Sequence, residues 1–289
     1  YGSGEPVIAV MGEFDALPGI SQAAVPFEQK IEGKNAAQAC GHHLFGAGSA
    51  GAAIAVKEWL ERTGTPGTIQ FFGTPAEEGG SGKVYMVRAG LFDDVDTVIH
   101  WHPSSVNAAD SASTLANRSA KFTFSGVSSH AASAPDRGRS ALDAVEAMNF
   151  MVNLLREHVP TSTRLHYVIT NGGSAPNVVP NTAQSFYYVR HPNETTLREI
   201  WDRVMATAEA AAVGTGTSMS YEIIHGNYSV LPNDTLAKVM HAKLSSVGGV
   251  EYSEADEVFA AEISKTLPTG TYTKAVSYTH LRAHETFAN

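Results

Sequence analysis

The sequence contains a single cysteine, Cys40, in 289 residues, so no disulfide framework can form within the chain. It has no run of eighteen apolar residues, which leaves no candidate for a membrane-spanning helix. Basic side chains are in deficit: 20 Lys and Arg stand against 29 Asp and Glu, for a net charge of −9. That balance argues against a nucleic-acid-binding surface. Internal repeats and low-complexity tracts are absent as well. What is present is apolar material, 43% of residues against 17% charged, enough for a packed core. The length suggests one large or two ordinary domains. A lone cysteine fits a reducing compartment, and a cytoplasmic location is expected. The sequence opens on Tyr1 rather than methionine, so any signal peptide upstream would not be seen.

Hydropathy patterning divides the chain into parts. Residues 1–116 read as alternating strands and helices. Strands are expected at 7–11, 68–73 and 96–102, a long Ala- and Gly-rich helix at 44–60, and a short helix at 83–88. Short, continuous apolar strands separated by helices indicate an α/β domain with a mostly parallel sheet. Residues 117–226 have another rhythm. Strands are expected at 120–124, 165–170, 182–190 and 218–224, with helices over 141–157 and 197–212. In the first helix Leu142, Val145, Met148, Val152 and Leu155 follow three- and four-residue steps. The order βαββαβ is the ferredoxin-like arrangement. Residues 227–274, with a helix at 235–247, would return to the first domain.

Three clusters carry chemistry. Cys40-Gly41-His42-His43 offers a thiol and an imidazole two residues apart, able to converge on one divalent ion. Glu77-Glu78 places adjacent carboxylates at a strand end, where they repel unless a positive charge lies beside them. One could hold a metal while the other takes a proton from water. His100-Trp101-His102 puts two imidazoles on one face if the strand continues through them. Each has a plainer reading: a buried cysteine acting as a small hydrophobe, a solvated acidic turn, a core histidine. All three, however, fall at successive strand ends of one sheet, where such folds place their sites.

The segments GEFDALPG (12–19), ACGHHLFGAG (39–48), TPAEEGGSGK (74–83) and HWHPSS (100–105) resemble the M20 metallopeptidase superfamily. More narrowly, they are similar to its amidohydrolase branch, where cysteine stands in place of a bridging aspartate. The resemblance runs over nearly all of residues 7–270. It implies a catalytic domain interrupted by a ferredoxin-like lid and dimerisation domain, with both ends of the catalytic domain incomplete. It also implies two divalent ions, Mn2+ or Zn2+, held by Cys40, His42, Glu78 and His102. Glu77 would be the general base and acid, and Asp15 would orient the ligands from behind. Glu13 takes the place of a ligand histidine of other branches, and no role is carried over to it. In the insert, His130 would reach across a dimer to polarise the scissile carbonyl. Asn177 and Arg190 match positions that hold a substrate carboxylate.

The implied activity is hydrolysis of an amide bond to a carboxylate-bearing amino acid. The substrate expected is p-aminobenzoyl-glutamate, with N-acyl-amino acids or dipeptides as alternatives. A binding protein that keeps the fold without catalysis is the reading from another class. The partners implied are a second copy of the chain and a related A-type subunit. His43 and Phe45 depart from the residues of many relatives, a departure shared with the p-aminobenzoyl-glutamate type. The run AVSYTHLRAHET (275–286) resembles the in-frame translation of a sequencing-library adapter. Residues 275–289 are therefore set aside, and His280 and His284 are not counted as ligands. The family's last ligand histidine is expected beyond the point where that run begins.

Overall fold

The computed structural model describes residues 1–104 and 107–268, so the adapter-like run lies outside the described residues. The chain divides into two compact units, one formed by Tyr1–Ser111 and the chain from Asn233 onward, the other by Ala112–Pro232. Among the described residues, no helix is long and apolar enough to cross a membrane.

The first unit holds β1 (Gly2–Ser3), β2 (Val7–Glu13), β3 (Leu17–Pro18), β4 (Ala36–Ala37), α1 (His42–Thr63) and β5 (Gly67–Thr74). It continues with α2 (Glu77–Gly80), α3 (Gly82–Arg88) and β6 (Thr97–Ile99). The main sheet has the order β1-β5-β2-β6. β2 runs parallel to both β5 and β6, and only the two-residue β1 is antiparallel. A parallel sheet of this kind aligns the carboxyl ends of its strands on one edge. α1 packs against β2 through the small residues that begin after its first turn, at Gly46. At Gly46 a Cβ would come within 2.9 Å of the Glu13 carbonyl oxygen, so any larger residue would push the helix off the strand. Val10, Ala53, Leu60 and Ile69 form the small core beneath.

β6 is shorter than its hydropathy suggests. It stops at Ile99, so His100, Trp101 and His102 follow the strand rather than extend it. Pro103 comes next and has no N–H to donate to a ladder. The two-residue periodicity of a strand therefore does not govern where His100 and His102 point.

The second unit comprises β7 (Ala116–Ser125), α4 (Ala141–Leu155), β8 (Arg164–Asn171), β9 (Thr182–His191), α5 (Glu194–Thr215) and β10 (Ser218–Asn227). The sheet is antiparallel with the order β10-β7-β9-β8, the ferredoxin-like order. β9 shows why the sequence reads so clearly. Ala183, Ser185, Tyr187, Val189 and His191 are buried at every second position, while the residues between them face outward. Both helices lie over the buried face, through Val145, Met148 and Val152 of α4 and Ile200, Val204 and Ala208 of α5. Each helix starts on a side-chain cap: Ser140 accepts from the Asp143 N–H, and Asn193 from the Thr196 N–H. The core contains one polar knot, in which Asn149 Oδ1 accepts from Ser185 Oγ and from the Tyr187 hydroxyl. Burial pushes the Tyr187 phenol well above its ordinary pKa, so it stays a donor to Asn149.

His225 of β10 gives this unit a pH dependence. Its Nε2 lies 3.1 Å from the Tyr188 hydroxyl. Burial, and then the neighbouring Arg190 cation, hold its pKa below the ordinary imidazole value. A depressed folded-state pKa means that the unfolded chain protonates first as pH falls. The stability contributed is therefore complete above the unfolded value and declines through mild acid towards the folded pKa. Urea midpoints between pH 7.5 and 5 should fall in the native protein. They should fall less steeply in His225→Gln, and equal slopes would contradict this assignment.

α6 (Asp234–Val247) and α7 (Glu254–Ser264) complete the described chain. α7 begins with a reciprocal capping box between Ser253 and Asp256.

Candidate metal centre

The site forms where β2, β5 and the segment after β6 end together. β2 delivers Glu13 at its last position, and Asp15 follows two residues later. β5 ends at Thr74, whose register partner on β2 is Glu13. The chain then turns through Ala76, which has φ 56°, a left-handed conformation that costs a residue with a Cβ about 1–2 kcal/mol. That turn starts α2, so Glu77 and Glu78 stand in the first turn of a short helix rather than in an open acidic loop. Gly41 precedes α1 at φ 84°, and a Cβ there would meet Pro103 at 2.9 Å. Glycine is required twice over, for its backbone and for the approach of the His102-Pro103 segment.

His42 is the centre of the arrangement and is fully buried. Its Nδ1 lies 2.9 Å from Asp15 Oδ1. A carboxylate can only accept, so Nδ1 carries a proton, and in the neutral ring Nε2 presents a bare lone pair. Around Nε2 stand Glu13 Oε2 at 3.0 Å, Glu77 Oε2 at 3.9 Å and Glu78 Oε1 at 4.0 Å. His42 Nε2, Glu13 Oε2 and Glu78 Oε1 are all buried and make no hydrogen bond among the described residues. Three buried electron-pair donors aimed at one another repel, and each is costly to desolvate alone. A cation between them removes both penalties, so the residues present fit a divalent ion.

The donor atoms fall into two groups, Cys40-His42-His102 and Glu13-His42-Glu77, each within 4.8 Å and both containing His42. Cys40 Sγ lies 3.4 Å from His102 Nε2. The His102 Nδ1 lies 2.8 Å from the Pro103 carbonyl, which likewise leaves Nε2 as the free donor atom. Asp15 ties the parts together. While Oδ1 holds the His42 ring, Oδ2 accepts the backbone N–H of Glu78 at 2.9 Å. Asp15→Ala should lower divalent-metal affinity about 10–100-fold, the usual effect of losing a group that orients a ligand. Equilibrium dialysis against Zn2+ would measure it, and unchanged affinity would contradict the role.

Electrostatics sharpen the picture. Burial is the main cause raising Glu77 above the ordinary carboxylate pKa, followed by the negative charge of Glu13, with Lys83 and His42 partly opposing. A carboxylate lifted towards neutrality is a better proton carrier. The Cys40 thiol is pushed up to about 11, by burial first and then by Glu78, Glu77 and Glu13. His100 stands apart: its ring packs at 6.2 Å from Phe45, and burial lowers its pKa. It belongs to neither group of donor atoms gathered around His42.

Glu13 and Lys83 of the cluster have no role that the sequence alone assigns. Glu13 is 6% exposed and makes an ion pair with Lys83 on its other oxygen, Oε1. The seventy-residue separation hides that pair from any local pattern.

His130, Asn177 and Arg190 belong to the second unit. There the chain after His130 pairs with the 177–179 segment: the Ala131 N–H donates to the Asn177 carbonyl at 3.0 Å. His130 Nδ1 accepts from the backbone N–H groups of Ala132 and Ser133, both at 3.2 Å. The ring proton of the neutral form is therefore on Nε2, which makes that atom an oriented donor. Arg190 lies over the Tyr188 ring at 5.3 Å, and its Nε makes no hydrogen bond among the described residues.

A parallel α/β unit with donor atoms gathered at its strand ends, in a chain that also carries a ferredoxin-like unit, is the build of the metallopeptidase class. The chain belongs to peptidase family M20/M25/M40, whose family model matches residues 9–272. It is 46% identical over 270 residues to the B-type subunit of p-aminobenzoyl-glutamate hydrolase from Escherichia coli (strain K12). That alignment covers 92% of this chain and 56% of the relative, so the chain spans about half the length of the curated protein it matches. The fold is shared with an aminobenzoyl-glutamate utilization protein from Klebsiella pneumoniae. That match has a TM-score of 0.63 at 21% identity, covering 91% of this chain and 64% of that one. It is shared also with the Bacillus subtilis YXEP protein, described as a dinuclear metal-binding M20 peptidase. There the TM-score is 0.55 at 19% identity, over 84% and 63% of the two chains.

Proposed function

We propose that this chain forms the core of a metal-dependent amidohydrolase that releases a carboxylate-bearing amino acid, with p-aminobenzoyl-glutamate as substrate. The observation that carries this reading is the set of buried, unpartnered donor atoms around His42 Nε2. Cys40, His42, Glu78 and His102 would hold two divalent ions. Sulfur and imidazole donors suit Zn2+, and the carboxylates also suit Mn2+. Bound there, the ions supply Lewis acidity and bring the pKa of a water towards neutrality.

The chain's own residues do the rest. Glu77 takes a proton from the attacking water as oxygen adds to the amide carbon. It returns that proton to nitrogen as the C–N bond breaks, giving a carboxylate and an amine. His130, delivered by a second copy of the chain, donates from Nε2 to the developing oxyanion. Arg190 and Asn177 bind the terminal carboxylate through charge-assisted hydrogen bonds. The name of the Escherichia coli relative makes it one of the subunits of its enzyme, which supports assembly with an A-type partner as well as a homodimer. A cytoplasmic location accords with the single cysteine.

A second reading has one observation in its favour. Cys40 Sγ and His102 Nε2 are 3.4 Å apart, which is close to the geometry of a thiol–imidazole nucleophile pair. Burial, and then three carboxylates, raise the thiol to about 11, the opposite of what a nucleophilic cysteine needs. Assay of p-aminobenzoyl-glutamate, N-acyl-amino acids and dipeptides before and after EDTA separates the readings. Turnover lost on chelation and restored by Mn2+ or Zn2+ supports the metal mechanism, and the substrate panel identifies the acyl group. Turnover that survives EDTA contradicts it in favour of the thiol.

A further inference from the structure

Glu13 is the one carboxylate at the site that nothing assigns, and its two oxygens have different surroundings. Oε1 is neutralised by the Lys83 ammonium group. Oε2 is buried, makes no hydrogen bond among the described residues, and faces the lone pair of His42 Nε2 at 3.0 Å. A carboxylate held only for its ion pair with Lys83 would have no reason to aim its other oxygen at an unprotonated imidazole nitrogen. With the ring neutral both atoms are acceptors, because its one proton is held towards Asp15 on the opposite side. For the neutral ring that contact is unfavourable, and a cation shared between the two unpartnered atoms makes it favourable.

His42 adds a second argument. It appears in both donor groups, yet its Nε2 has one lone pair and serves one ion at a time. The ion that takes His42 has Glu13 Oε2 within its reach, and Glu13 is the most buried carboxylate around it. Lys83 then has a purpose. The site holds Glu13, Asp15, Glu77 and Glu78 around one histidine, and an ammonium group on Oε1 limits the repulsion while leaving Oε2 open.

We propose that Glu13 is a metal-contacting residue, binding a divalent cation through Oε2, with Lys83 as the positioning residue that fixes its carboxylate. This rests on the metal-centre reading above and adds to it a ligand and a counter-charge.

The test compares the native full chain with Glu13→Gln, Lys83→Met and Cys40→Ala, using Zn2+ binding by competition with a chromophoric chelator. Absorption spectra of the Co2+-loaded proteins provide a readout independent of activity. Glu13→Gln should weaken at least one Zn2+ equilibrium by about tenfold or more and shift the Co2+ bands, the range expected when a metal's surroundings lose a charged group. Lys83→Met should move the same equilibrium and the same bands by a smaller factor. Circular dichroism confirms that each variant is folded. Unchanged Zn2+ affinity and Co2+ spectra in a folded Glu13→Gln protein would overturn the proposal and reduce Glu13 to the partner of Lys83. Failure of the underlying reading looks different: the native chain itself would bind no Zn2+, and Cys40→Ala would match it.

Discussion

Glu77→Gln is expected to reduce turnover by about 10²–10⁴-fold, the usual contribution of a positioned acid–base group, while the bound metal stays in place. Glutamine keeps the shape of the side chain and one acceptor oxygen but cannot carry a proton. The expectation is asymmetric because Glu77 and Glu78 differ in their surroundings although they are neighbours. Glu78 has its backbone N–H tied to Asp15 and a buried Oε1 facing His42. Glu77 is more exposed, with its side chain 45% accessible, and burial together with Glu13 lifts its pKa. Glu78→Gln should therefore lose metal first and activity as a consequence, whereas Glu77→Gln should lose activity alone. Steady-state kinetics paired with elemental analysis distinguishes the two. A Glu77→Gln protein with near-native kcat would exclude Glu77 as the proton carrier.

Phe122→Ala should be the most damaging substitution for stability in the second unit. The ring is fully buried on β7. It meets Tyr187 edge-on at 5.6 Å and Trp201 at 6.0 Å, so truncation empties the space between the sheet and α5. Phe-to-Ala changes in such cores cost about 3–5 kcal/mol, from lost burial and from the cavity left behind. Whole domains are stable by only about 5–15 kcal/mol, so roughly a fifth or more of the margin would go. The denaturant midpoint followed by far-UV circular dichroism should fall accordingly. A loss under about 1 kcal/mol would mean that the core repacks around the gap.

The second unit was the more legible part of the sequence, for a physical reason. One face of its sheet is covered and the other is open, so β9 alternates strictly and α5 carries Leu197, Ile200, Val204 and Ala208 on one stripe. The first unit announced its strands by short apolar runs, but β6 ends at Ile99, and the bulky His100 and Trp101 that follow it are exposed rather than paired. β3 and β4 have two residues each, too few for any period to register. α7 was not among the expected elements, although the capping pair Ser253 and Asp256 was a usable local signal.

At the site, Cys40, His42, Glu77, Glu78 and His102 stood out because each lies in a compact, chemically unusual run. Glu13 did not gain a role, since one carboxylate at the end of a strand has no local signature. Its position follows from the parallel register of β2 on β5, which sets Glu13 beside Thr74 and brings Lys83 within reach. Likewise, the tautomer of His42 depends on Asp15, 27 residues away, and becomes visible only in three dimensions.

The most direct test of the metal centre is anomalous diffraction from crystals of the full chain equilibrated with Zn2+, collected on both sides of the zinc edge. Anomalous density is expected among Cys40, His42, Glu78 and His102, within bonding distance of His42 Nε2. Crystals that show no anomalous peak there, with the same side chains clearly ordered, would contradict it.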